Sequence, residues 1–112
     1  MTADAERFRH NAQRMTILKA VLDLVGVDRE AGVAEILKTC DRVGYPMVPD
    51  KLDFHLRYMR EWGWVKLRTE STVRHVDEIL GARLTAYGVD RIDIGEMPKL
   101  GELPPALRRE KK

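Results

Sequence analysis

From Ala3 to Val25 the chain has neither Gly nor Pro, and Phe8, Met15, Leu18, Val21, Leu22 and Val25 recur at helical spacing. The spacing predicts a long first helix. Thr2 or Asp4 is placed to cap it, and Gly26 stands where a left-handed terminating residue belongs. Its first half is polar and projects past the core, whereas Ile17 to Val25 is dense enough in apolar residues to be buried. Val27 to Ala31 reads as a short link. Gly32 to Val43 then carries Val33, Ile36, Leu37, Cys40 and Val43 in threes and fours, which draws one apolar stripe along a second helix ended by Gly44.

Pro46 and Pro49 hold the residues before them out of the helical region, so Tyr45 to Pro49 is a connection. A third helix is expected from near Asp50, its capping residue, to Gly63, with Leu52, Leu56 and Met59 inward. After Gly63 the period changes to two. Trp64 to Thr69 alternates apolar with polar side chains, as a half-buried strand does. A second extended segment ends at Ala82, Arg83 and Leu84, which makes a hairpin, although Val73 to Leu80 also admits a helical turn. Thr85 then caps a last helix of roughly two turns that contains Gly88. Residues 1–95 form one domain on this reading, and 96–112 form a Pro- and Gly-containing tail ending in Arg108, Arg109, Lys111 and Lys112.

Composition narrows the picture. With 112 residues, 44% hydrophobic and 34% charged, the chain suits one folded domain and is too short for a barrel or a two-lobed enzyme. The net charge of +2 means that any basic surface must be local. Cys40 is the single cysteine, so no internal disulfide or thiolate metal cluster can form, which suggests a reducing compartment. His10, His55 and His75 are scattered without metal-ligand spacing. No phosphate loop, nucleophile elbow or metalloprotease helix is present, so catalysis and cofactors are not expected. No signal-like amino terminus or membrane-length apolar run occurs, and the cytoplasm is the default location.

A mainly α chain with a small β-hairpin, three helices followed by a two-stranded wing and a short helix, has the order of a winged helix-turn-helix, an α+β fold. The stretch Leu52-Asp53-Phe54-His55-Leu56-Arg57-Tyr58-Met59-Arg60-Glu61-Trp62-Gly63-Trp64-Val65 resembles the recognition helix and first wing strand of ArsR-like winged-helix proteins. Leu84-Thr85-Ala86-Tyr87-Gly88-Val89-Asp90 is similar to the Leu-Thr-x-x-Gly-x-Asp that closes the wing in such families, and with the Pro-containing basic tail it looks most like small winged-helix proteins of Mu-like phages and prophages. The resemblance spans Ile17 to Ile94 and implies a small transcriptional regulator that binds double-stranded DNA. Two departures stand out. The third helix lacks the cysteines of metal-sensing relatives, and it opens with Pro49, Asp50, Lys51 and Asp53 instead of Ser, Thr and Gln.

On that third helix Lys51, Phe54, Arg57 and Tyr58 point away from the apolar stripe, which makes Lys51, Phe54 and Arg57 the candidate major-groove contacts. The plain structural alternative is a solvated face. Lys66, Arg68, Arg74, His75 and Arg83 lie on the hairpin, and Arg68 and Arg74 are the candidate phosphate contacts. Edge strands also carry cations simply to prevent pairing. Phe8, Ala12 and Met15 form a face of the first helix suited to a homodimer. Asp50, Asp53 and Glu61 balance Lys51, Arg57 and Arg60, a balance that favours the alternative of a protein-binding module without DNA affinity. Trp62 and Trp64 are expected to close the core, with a base-stacking platform as the competing role.

Overall fold

In the computed structural model the described residues are 3–74, 76–99 and 102–104, with Ala3 and Asp4 described by backbone alone. His75 and the terminal cations Arg108, Arg109, Lys111 and Lys112 lie outside them, as does Thr2. The elements run α1 (Ala3–Val25), β1 (Glu30–Gly32), α2 (Val33–Arg42), α3 (Pro49–Glu61), β2 (Val65–Glu70), β3 (Glu78–Leu84) and α4 (Ala86–Ile94). This is an α+β domain with four helices and a three-stranded antiparallel sheet of order β1-β3-β2 among the described residues.

The two-stranded wing expected from the sequence is therefore incomplete. The end of the expected link, Glu30 and Ala31, and Gly32, expected to open the second helix, form β1 and pair with Arg83, Ala82 and Gly81. Gly81 permits that pairing, because a Cβ there would lie 2.9 Å from the Ala31 carbonyl oxygen. Between α1 and β1 the backbone turns through Gly26 (φ +79°) and Asp28 (φ +60°), and the Asp28 amide donates to the Leu84 carbonyl. The hairpin itself forms as expected. Its register shifts between Arg68 and Thr69, so that Arg68 opposes Gly81, Thr69 opposes Ile79 and Leu80 is the extra residue of a bulge.

The centre of α1 is the spine of the molecule and touches α2, α3, α4, β1 and β3. Ile17, Leu18 and Val21 are fully buried there. Ile36 and Cys40 of α2 meet them from one side, and Leu52, Leu56 and Met59 of α3 from another. Each such side chain contributes roughly 2 kcal/mol by leaving water. Trp62 and Trp64 stack at 5.3 Å between ring centroids and are 6% and 3% exposed, which closes the core and removes the base-platform role.

Local chemistry sets the boundaries. Asp50 is not the cap of α3. Val48 holds that position and Pro49 fills the first turn, where its fixed φ and missing N–H cost nothing, while Asp50 lends its negative charge to the helix amino end. Gly63 (φ +79°) reverses the chain so that the Trp64 amide reaches the Met59 carbonyl. Thr85 caps α4 as expected: its Oγ1 accepts from the Gly88 amide at 3.1 Å and donates to the Gly63 carbonyl at 2.6 Å. The start of the tail folds back, with Met97 packed on the core and Pro104 buried. No helix among the described residues is long and apolar enough to cross a membrane.

Candidate functional site

The exposed side of α3 lies between two neighbours of opposite character. Toward the hairpin, Asp50, Asp53 and Arg57 share a cleft of about 460 Å³ with Arg74, Val76 and Glu78. Toward α1, Lys51 and Phe54 meet His10 and Arg14.

On the hairpin side, Arg57 is already engaged. Its Nε donates to Asp53 Oδ2 at 2.9 Å, and a terminal nitrogen donates to the Asp77 carbonyl at 2.5 Å. The bond to Asp53 also holds the guanidinium proton more firmly. Asp77 sits in the left-handed region (φ +54°) and is linked to Ser71 across the hairpin loop, so Arg57 acts as a strut between α3 and the base of that loop. Arg68 is engaged as well, donating to Glu30 Oε1 at 2.7 Å across the sheet. That bond lowers the Glu30 pKa and raises the Arg68 pKa. Arg74 is exposed at the cleft rim and makes no ion pair among the described residues, and Val73 and Val76 beside it are fully and largely exposed.

On the α1 side, Phe54 is half-exposed, with the His10 ring edge-on at 5.7 Å and the Lys51 ammonium 5.8 Å from its centroid. Beneath it lies a buried polar cluster that the sequence reading missed. Arg14 is 6% exposed and His55 is fully buried. Arg14 Nε donates to His55 Nδ1 at 3.1 Å, so the ring proton resides on Nε2 and is donated to Gln13 Oε1 at 2.7 Å. The Arg14 guanidinium lies 3.5 Å from the Tyr58 ring centroid, which holds Tyr58 against α1. Burial, then the charges of Arg14, His10 and Lys51, hold His55 down to about 3, so it is neutral. The signal was present in the spacing: His55 falls on the stripe of Leu52 and Met59, and Arg14 continues the stripe of Ile17 and Leu18.

Phe8, Ala12 and Met15 do come together, in a groove of about 570 Å³ with Tyr45 and Met97, and Phe8 is 77% exposed. Cys40 is fully buried and its thiol is pushed up to about 11 by burial, so it is an inert core side chain. No group of three or more His, Cys, Asp or Glu among the described residues is placed to hold a metal ion. In sequence comparison, no family model matches the chain and no curated protein is detectably similar to it.

Proposed function

We propose that this domain is a winged helix-turn-helix that docks on double-stranded DNA, placing α3 in the major groove with the β2–β3 hairpin along the adjacent backbone. The observation that carries this reading is the open flank of α3. Packing against α1, α2 and β2 buries one stripe of it and leaves Phe54 exposed and Lys51 partly exposed on its α1 side, with Arg74 exposed on its hairpin side. Lys51 and Arg74 supply phosphate contacts and Phe54 an apolar contact to a thymine methyl. A two-fold dimer through Phe8, Ala12 and Met15 would present two such flanks, as expected for a small phage-type regulator working in the cytoplasm.

A second reading rests on a specific observation. Arg57 and Arg68 are bound by carboxylates of the same chain, and Val73, Val76 and Phe54 leave apolar surface on the hairpin loop and α3, which suits a protein partner. Fluorescence anisotropy of a labelled mixed-sequence duplex at two salt concentrations, with a single-chain acidic polymer as competitor, separates the two. Micromolar, salt-sensitive binding that the polymer fails to displace supports DNA docking. Absence of binding at low salt rejects it and leaves the protein-binding module.

A further inference from the structure

We propose that the flank of α3 facing α1, where Lys51 lies, is a full second phosphate-binding edge, completed by His10 beside Phe54 and by Arg9 next to His10 on α1, so that a duplex is held on both sides of α3. The proposal rests on the DNA-docking reading and adds to it a contact surface on α1 that the helix-turn-helix order does not indicate.

The distribution of charge around α3 carries the argument. Of its three carboxylates, Asp50 and Asp53 lie on the hairpin side, where the cleft also contains Glu78 and where Arg57 is neutralised, and Glu61 is the last residue of the helix. The α1 side has the opposite balance. Lys51, His10 and Arg14 gather around one aromatic ring, and Arg9 acts on the same field. Neither Arg9, Arg14 nor Lys51 forms an ion pair with a carboxylate among the described residues. Glu6 is the carboxylate that acts on this group.

Arg14 gives the edge its strength. A buried guanidinium whose polar partner is a neutral imidazole keeps its whole charge, and the low-dielectric surroundings transmit that charge to the overlying surface with less screening than water would impose. The surface directly above it is Phe54, flanked by His10 and Lys51. Phosphate is the chemistry that fits: a positive rim without a competing carboxylate at its centre, with an apolar ring for a sugar or base face.

His10 makes the contact proton-linked. Burial, Lys51 and Arg14 lower its proton affinity, Glu6 opposes them, and Arg9 adds to them; His55 packs against the ring in neutral form. A phosphate placed beside the ring reverses the sign of the local field and raises that affinity. Docking therefore takes up a proton, and DNA binding tightens as pH falls from neutrality, by at most about tenfold per pH unit for one proton.

The test uses the full chain and a rhodamine-labelled mixed-sequence duplex, titrated by anisotropy across a salt series at about pH 7.5 and about pH 5.5, with thermal unfolding to confirm that each variant is folded. Arg9→Ala and Lys51→Ala each make the salt slope shallower by about one, and Arg74→Ala on the hairpin does the same independently. His10→Gln removes most of the gain in affinity at the lower pH. If Arg9→Ala and Lys51→Ala leave the slope unchanged while Arg74→Ala reduces it, the second edge is wrong and DNA docking stands. If His10→Gln keeps the full pH dependence, the proton linkage is wrong. If the wild type binds no duplex at low salt, both the edge and the DNA reading fall.

Discussion

Arg14 carries a full charge into a site where it is 6% exposed, and two features that only a guanidinium combines keep it there. Its flat face lies on Tyr58 and its Nε–H reaches His55. An ammonium has neither the plane nor the edge-directed donor. Arg14→Lys is therefore expected to destabilise the fold by about 2–3 kcal/mol, as a desolvated cation–π contact and a buried hydrogen bond are lost together. A urea titration reads this as a lower midpoint at constant slope, and an unchanged midpoint would show that the stack contributes nothing. His55 extends the argument to pH. The unfolded chain protonates this imidazole near 6.5, whereas the native state resists until about 3, so the unfolded state binds the extra proton in between. Stability contributed by neutral His55 is present above pH 6.5 and falls with pH below it, by up to about 1.4 kcal/mol per unit. Urea midpoints measured between about pH 6.5 and about pH 5, before most carboxylates titrate, should show this slope; His55→Asn should reduce it, and an equal slope in that variant would assign it elsewhere.

Among the elements, α4 is docked through a close backbone approach at Gly88. Gly88 lies against the Trp64 carbonyl and Leu84, where a Cβ would collide with both. The glycine that looks like a defect in a helix is thus the condition for docking that helix on the helix-to-strand corner, with Thr85 fastening its first turn to Gly63. Gly88→Ala should cost about 1–3 kcal/mol through overpacking, although alanine alone favours helix by about 1 kcal/mol. A thermal midpoint equal to or above that of the wild type would refute the close fit. The same distinction explains what was readable in the chain. The stripes of α2 and α3, the change of period after Gly63 and the cap at Thr85 are local patterns, and each element forms where its pattern lies. Strand β1 has no local pattern, because three residues cannot alternate legibly and their pairing depends on Gly81 far along the chain. The candidate site was readable only as residue types. Phe54 and Arg74 are exposed and Lys51 is partly so, but Arg57 is held by Asp53 one turn before it and by the Asp77 carbonyl, and Arg68 by Glu30, and only tertiary contact brings Asp77 and Glu30 near.

At the scale of the whole molecule, a net charge of +2 leaves no general attraction for a polyanion, so binding must be counted cation by cation. Arg57 and Arg68 are committed to Asp53 and Glu30, which leaves Arg9, Lys51 and Arg74 as the proposed phosphate contacts of one chain at neutral pH. Three neutralised phosphates correspond to a slope of log K against log salt of about −2.7. Were Arg57 and Arg68 to abandon their carboxylates on docking, five contacts would give about −4.5. The slope therefore reports whether the internal ion pairs survive binding, a question that affinity alone does not answer. A slope near −2.7 per chain is expected at about pH 7.5, steepening by up to about one at about pH 5.5 where docking protonates His10. Dimerisation through Phe8, Ala12 and Met15 would double the value per complex, so the titration must be paired with sedimentation of the same sample. Phe8→Asp, which places a charge in that groove, should then halve the slope per complex without altering it per chain. A variant that sediments as the wild type and keeps its slope would remove the α1 groove from the interface, and a steeper slope per chain would mean that Asp53 and Glu30 release their arginines to DNA.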